Sequence, residues 1–130
     1  MIKNIWKRLW KSEGQEELFT PRDIETSFVL TWRRLEIGVL SLKEGKWTFR
    51  YSEDFKAQET VKPLTDFPDV NKVYSSEELY PFFLSRIPGS GQTKFQEIVK
   101  KEKIDPKNEA ELLKRFGRQT IANSFILTSV

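Results

Sequence analysis

An α+β fold is predicted for these 130 residues. Its parts are a small antiparallel sheet, made of a three-strand meander plus a C-terminal strand, about three helices packed with it, and an amphipathic N-terminal helix. Three observations predict it. Between residues 26 and 51 the apolar residues alternate with period two, the pattern of strands that bury one face. Beyond residue 75 the apolar spacing becomes helical, and three Ser/Thr/Asn-x-x-Glu/Gln signatures mark helix starts. The 38% apolar content and the aromatics (Trp 4, Tyr 3, Phe 10) supply one core in a chain whose length suits one domain.

The elements follow in order. In MIKNIWKRLWK, Ile2, Ile5, Trp6 and Leu9 fall at i, i+3, i+4 and i+7, one helical face, with the basic residues largely off it. SEGQEE reads as a linker, punctuated by Pro21. Residues 1–25 therefore stand apart as a basic helix and linker, and residues 26–130 form the domain. Phe28, Leu30 and Trp32 alternate with Val29 and Thr31. A second run, Leu35 to Leu42, holds Gly38, which permits a bulge or a close backbone approach. Lys43-Glu44-Gly45-Lys46 is a hairpin turn, after which Trp47, Phe49 and Tyr51 alternate with Thr48 and Arg50. Residues 52–72 are polar and irregular.

Ser75 with Glu78 predicts a helix start, and Pro81 predicts a kink or a delayed start there. Pro88-Gly89 ends this helix. Thr93 with Gln96 opens the next, carrying Phe95, Ile98 and Val99. Asn108 with Glu111 opens a third, with Leu112, Leu113 and Phe116 inward and Gly117 as its C-terminal cap. Ser124 to Val130 reads as the last strand.

Composition excludes several functions. Histidine and cysteine are absent, so a Ser-His-Asp or Cys-His nucleophile is excluded, and zinc and most transition-metal sites are not expected. No cofactor is expected. No apolar run approaches the roughly 18 residues of a membrane span, and no signal peptide is recognisable, so a cytoplasmic location is expected. The net charge of +3 is unevenly placed. Lys3, Lys7, Arg8 and Lys11 lie in the first eleven residues; without these four, the 22 basic residues become 18 against 19 acidic. The body is nearly neutral and offers no broad basic surface to a phosphate backbone.

Four stretches invite a functional reading. IPGSGQTK departs from a phosphate loop: Gly89 and Gly91 are two apart and no glycine precedes Lys94. A turn with glycines at positive φ is the stronger reading. Trp47, Phe49 and Tyr51 are better read as core than as a base-stacking platform, since Arg50 points to the opposite face. Lys3, Lys7, Arg8 and Lys11 would suit a membrane surface or nucleic acid, while Trp6 and Trp10 would suit a protein partner. In PLTDFPDVNK, Phe67 sits between two prolines. Such a ring either folds back onto the core or protrudes as a rigid anchor, with Asp66 and Pro68 beside it; the anchor is the site expected here.

The order of landmarks resembles the N-terminal subdomain of the HipA family of bacterial Ser/Thr kinases. Phe49-Arg50-Tyr51 matches its F-x-Y strand end, and Pro63-Leu64 its P-L/S segment. Residues 82–88, FFLSRIP, match its F-F-x-x-L-L-P helix, with Arg86-Ile87 in place of Leu-Leu. Residues 111–118, ELLKRFGR, match its D-L-L-x-x-x-G-R segment. Ala122-Asn123-Ser124 replaces the family's Gly-Ala, and the first 25 residues have no counterpart. The resemblance runs from about residue 27 to 128 and implies a non-catalytic piece, since the kinase body has no counterpart here. It further implies a role like that of HipS, the standalone copy of this subdomain in some toxin–antitoxin operons: an antitoxin that binds a HipA-like Ser/Thr kinase and regulates it. A HipB-like DNA-binding protein would join through that complex, and no small-molecule substrate is expected.

Overall fold

The computed structural model describes residues 18–130, so the expected N-terminal helix, with Lys3, Trp6, Lys7, Arg8, Trp10 and Lys11, lies outside the described residues. The fold is α+β. Five strands, β1 (Thr26–Trp32), β2 (Leu35–Lys43), β3 (Lys46–Tyr51), β4 (Tyr74–Ser76) and β5 (Ile126–Ser129), form one antiparallel sheet in the order β4-β3-β2-β1-β5. Four helices accompany it: α1 (Glu53–Lys56), α2 (Pro81–Leu84), α3 (Thr93–Glu102) and α4 (Glu109–Phe116). The meander and the C-terminal strand are as expected. Strand β4 and the single turn α1 are additions.

The meander is held in register by its turns. Glu44 and Gly45 both take positive φ (52° and 75°), the backbone of a tight two-residue hairpin. Gly38 serves both purposes expected of a strand glycine. The register of β1 with β2 slips between Leu30 and Thr31, so Ile37 is the extra residue of a bulge. The bulge shifts the alternation, and Ile37 faces the core together with Leu40 and Leu42. A Cβ on Gly38 would collide with the carbonyl oxygen of Arg50 and lie 2.7 Å from the Phe49 ring.

One face of the sheet builds the core. Phe28, Leu30, Leu40, Leu42, Trp47, Phe49, Tyr51 and Leu127 are buried against Phe55, Phe83, Leu84, Phe95, Ala110, Leu112 and Leu113 from the helices. On the opposite face Ser27, Val29, Val39, Ser41 and Thr48 are half-buried and Arg50 is exposed.

Two of the predicted helix caps, Ser75 and Thr93, do not form, while the delayed start expected at Pro81 does. Ser75 belongs to β4, because residues 74–76 add to the free edge of β3; α2 therefore begins late, at Pro81. Proline is comfortable at that first position, where its missing N–H has no helical partner to lose. Helix α3 has Thr93 as its first residue, with Gln92 as a cap lacking any side-chain bond, and the Gln96 amide reaches back to the Ser90 carbonyl instead (2.8 Å). Asn108 does cap α4: its Oδ1 accepts from the N–H groups of Ala110 (3.0 Å) and Glu111 (3.2 Å).

Residues 18–25, expected as linker, lie along the domain. Leu18 and Pro21 are buried, and Phe19 pairs with Asn108 through bonds to the Lys107 carbonyl (2.9 Å) and from the Glu109 N–H (3.0 Å). The indole N–H of Trp47 donates to the Thr20 hydroxyl (3.0 Å), which donates to the buried Glu109 carboxylate (2.6 Å). This relay ties strap, sheet and α4 together.

Candidate functional site

The loop over residues 63–72 was the expected anchor, and its ring is placed inward. Phe67 is fully buried, stacked on Phe49 with ring centroids 4.3 Å apart and edge-on to Tyr74 and Tyr80 at 5.0 and 4.8 Å. The protruding anchor is thereby corrected. An exposed phenylalanine would leave a hole among four rings, and burial removes its apolar surface from water. The sheet face supplies the site that the sequence does not print beside it.

Polar contacts make this fold-back rigid. The Tyr51 hydroxyl donates to the Phe67 carbonyl (2.6 Å) and accepts from the Leu64 N–H (2.8 Å). Asp66 Oδ2 accepts from the N–H of Phe82 (2.9 Å), satisfying the first turn of α2, whose own cap residue Tyr80 offers no side-chain acceptor. Tyr80 instead donates to the Trp47 carbonyl (3.2 Å). Burial pushes the Tyr51 phenol up to about 12 and the Tyr80 phenol higher still. Of the three predicted loop residues, Pro68 alone is exposed; Asp66 is half-buried and acts as a cap.

Beyond Pro68 the loop forms one wall of an open groove of about 570 Å³. Val39, Val70 and Val73 give it apolar patches. Arg50, Lys56 and Lys72 alternate there with Glu36, Glu53 and Asp54, so the groove carries both signs of charge. Among the described residues there is no cluster of three or more His, Cys, Asp or Glu side chains suited to a metal, and no helix long and apolar enough to cross a membrane.

The glycine loop between α2 and α3 is a turn, closed by the Gln92 N–H on the Gly89 carbonyl (3.2 Å). Neither Gly89 nor Gly91 takes the positive φ expected of it. Phe83 and Ile87 are buried, so the aromatic stretch before the turn is core. Arg86 is the residue whose role went unread. It is 4% exposed, and its guanidinium holds four acceptors between residues 117 and 125. The one signal for it in the sequence was a charge where a leucine is usual.

These landmarks occur in sequence order on one folded unit: the strand end Phe49–Tyr51, the clamped Pro63-Leu64 segment, the α2 turn and the α4 terminus. The family model of the HipA N-terminal domain matches residues 29–122. The chain belongs to this family. No curated protein matches the chain. In this HipA N-terminal domain the family landmarks are structural. Phe49, Tyr51 and Phe83 belong to the aromatic centre, Leu64 is buried in the same core, and Leu112 and Leu113 fix α4 to it. At Gly117, a Cβ would lie 2.5 Å from the Leu113 carbonyl oxygen, so the family's glycine is required for close packing. The matched family is an N-terminal domain and not a kinase domain.

Proposed function

We propose that this chain is a non-catalytic binding module that docks on a HipA-like Ser/Thr kinase and restrains it, as an antitoxin does. The observation that carries this reading is the match to the HipA N-terminal domain over residues 29–122. In such kinases this domain accompanies a catalytic body, and that body is the partner this reading assigns. The landmark rings lie in the core, which leaves binding to surface residues. An interface of ordinary size, about 800 Å² per partner, would suffice. A HipB-like DNA-binding protein would be reached through the same complex in the cytoplasm.

The test is reconstitution. The full chain and the HipA-like kinase of the same genome, purified separately, should co-elute as a stoichiometric complex, and titrating the chain should lower kinase activity in proportion. Separate elution at micromolar concentrations would overturn the reading. A second reading rests on Lys3, Lys7, Arg8 and Lys11, which would hold the protein on an anionic membrane or nucleic acid. Deleting residues 1–12 should then abolish binding to vesicles or DNA and leave the kinase complex intact.

A further inference from the structure

Arg86 is buried, and no carboxylate is among its acceptors. Nη1 donates to the carbonyls of Gly117 (2.8 Å) and Arg118 (3.2 Å), and Nη2 to the Asn123 side chain (3.1 Å) and the Phe125 carbonyl (2.9 Å). Nε is buried with no partner. A buried charge is normally matched by an opposite one, and an apolar residue in its place is often no less stable. Net stability therefore does not account for the guanidinium. What sets it apart is where its bonds go. All four acceptors lie in the connection from α4 to β5, and one planar fork holds both legs of it.

That connection decides where β5 goes. The strand is four residues long, lies at the edge of the sheet and pairs only with β1. Leu127 is its one buried side chain; Ile126 is half-buried, and Thr128 and Ser129 are exposed. The Leu127 N–H donates to the Arg118 carbonyl (2.9 Å), the same oxygen that Arg86 holds. Asn123 is shared in the same way: its Oδ1 accepts from Arg86 and from the Phe125 N–H (3.1 Å). Clamp, turn and strand are thus joined through common acceptors, while one buried leucine fastens the strand to the core.

We propose that Arg86 is a latch that returns β5 to its own sheet, and that its loss lets β5 exchange with the strand of a second copy. Extended, residues 117–125 span about 30 Å, enough to cross to a neighbour. The vacated edge of β1 has one occupant whose fit is already visible. The Ile126–Ser129 strand of a second copy brings the same register, from Thr31↔Ile126 to Phe28↔Ser129, and the same Leu127 for the core. Any other strand would have to reproduce both. The exchange is reciprocal, so it closes as a two-fold dimer and leaves no β1 edge unpaired. With Arg86 in place the connection stays folded back, and each chain completes its own sheet.

The test uses the full chain as wild type, Arg86→Leu and Asn123→Ala, the last removing one grip and leaving Arg86 in place. Each is held at millimolar concentration, then read by light scattering and amide exchange. Arg86→Leu should form dimers that persist on dilution. In its monomer the amides of 126–130 should exchange roughly tenfold faster or more, with those of β2 and β3 unchanged. Asn123→Ala should shift both readouts the same way by less, and it decides alone if Arg86→Leu does not fold. The chain has no cysteine, so a cysteine pair at the facing positions Val29 and Thr128 reports the path of β5. On oxidation it should close within one chain in the wild type and between chains in the Arg86→Leu dimer. A dimer whose disulfides all close within a chain overturns the exchange. So do variants that stay monomeric with wild-type protection, and so does a wild type that already dimerises through β5.

Discussion

The Tyr51 hydroxyl lies 2.6 Å from the carbonyl oxygen of Phe67, sixteen residues along the chain, and accepts from the Leu64 N–H at 2.8 Å. One phenol on the last residue of β3 thus closes a loop that has no regular structure of its own. Both backbone groups are buried, so the bonds answer a desolvation that water no longer compensates. Replacing Tyr51 with phenylalanine keeps the ring stacked on Phe55 (4.6 Å) and removes only the hydroxyl. The expected loss is about 1–3 kcal/mol of stability, read from urea unfolding. An unchanged midpoint would mean that the loop is held by its rings alone.

Phe67 is the ring those bonds deliver. It contacts Phe49, Tyr74, Tyr80 and Phe83, and among the described residues only Phe83 joins as many aromatic neighbours. Phe67→Ala should cost about 3–5 kcal/mol through lost burial and the cavity left behind. The same variant distinguishes core from anchor: a stable Phe67→Ala protein that binds its partner poorly would return the ring to the surface.

Gly38 is tested by the smallest change available. Its added methyl would meet the Arg50 backbone across the β2–β3 pairing, where neither strand can retreat without breaking the ladder. Gly38→Ala should destabilise by about 2 kcal/mol or more, near the middle of the range for overpacked sites. Gly91 is the internal control, since a Cβ there meets nothing within 4 Å, and Gly91→Ala should leave the melting temperature nearly unchanged.

How far the sequence could be read follows from the range of the forces involved. The meander was legible because alternation is a property of one strand, and the Glu44-Gly45 turn because its backbone demands a particular residue. The α4 start was legible because Asn108 caps its own helix. Strand β4 was not: three residues, Tyr74 to Ser76, are strand only because the edge of β3 is there to pair them. Phe67 and Arg86 failed for the same reason. Phe67 stacks on Phe49, 18 residues back, and the Arg86 acceptors lie 31 to 39 residues on, and local pattern carries no trace of them. The loop residue with the most conspicuous side chain, Phe67, is therefore core.

Thr20 reports on the strap. Its hydroxyl stands between the Trp47 indole and the Glu109 carboxylate, taking a proton from one and giving its own to the other. Thr20→Val preserves shape and removes both bonds, and should cost about 2 kcal/mol. Hydrogen exchange should locate the loss at residues 18–25 and the first turn of α4. Loss spread evenly over the sheet would contradict a local tie.

Alkaline pH separates the buried phenols from the buried guanidinium. A phenol with a higher pKa in the folded state keeps its proton on folding, so the folded form binds more protons than the unfolded one and stability falls as pH rises. Tyr51 contributes this way between 10.0 and about 12, and Tyr80 has the same sign through burial. Arg86 is opposite. Burial lowers its pKa from 12.5 to about 10, so above that value the unfolded form binds more protons, and stability contributed by this group rises with pH. Below pH 10 all three contributions are flat. Urea midpoints at about pH 8 and about pH 11 should therefore fall less in Tyr51→Phe than in wild type, and more in Arg86→Leu, because each variant removes one sign of the balance. Parallel lines for all three proteins would mean that neither group titrates differently in the folded state.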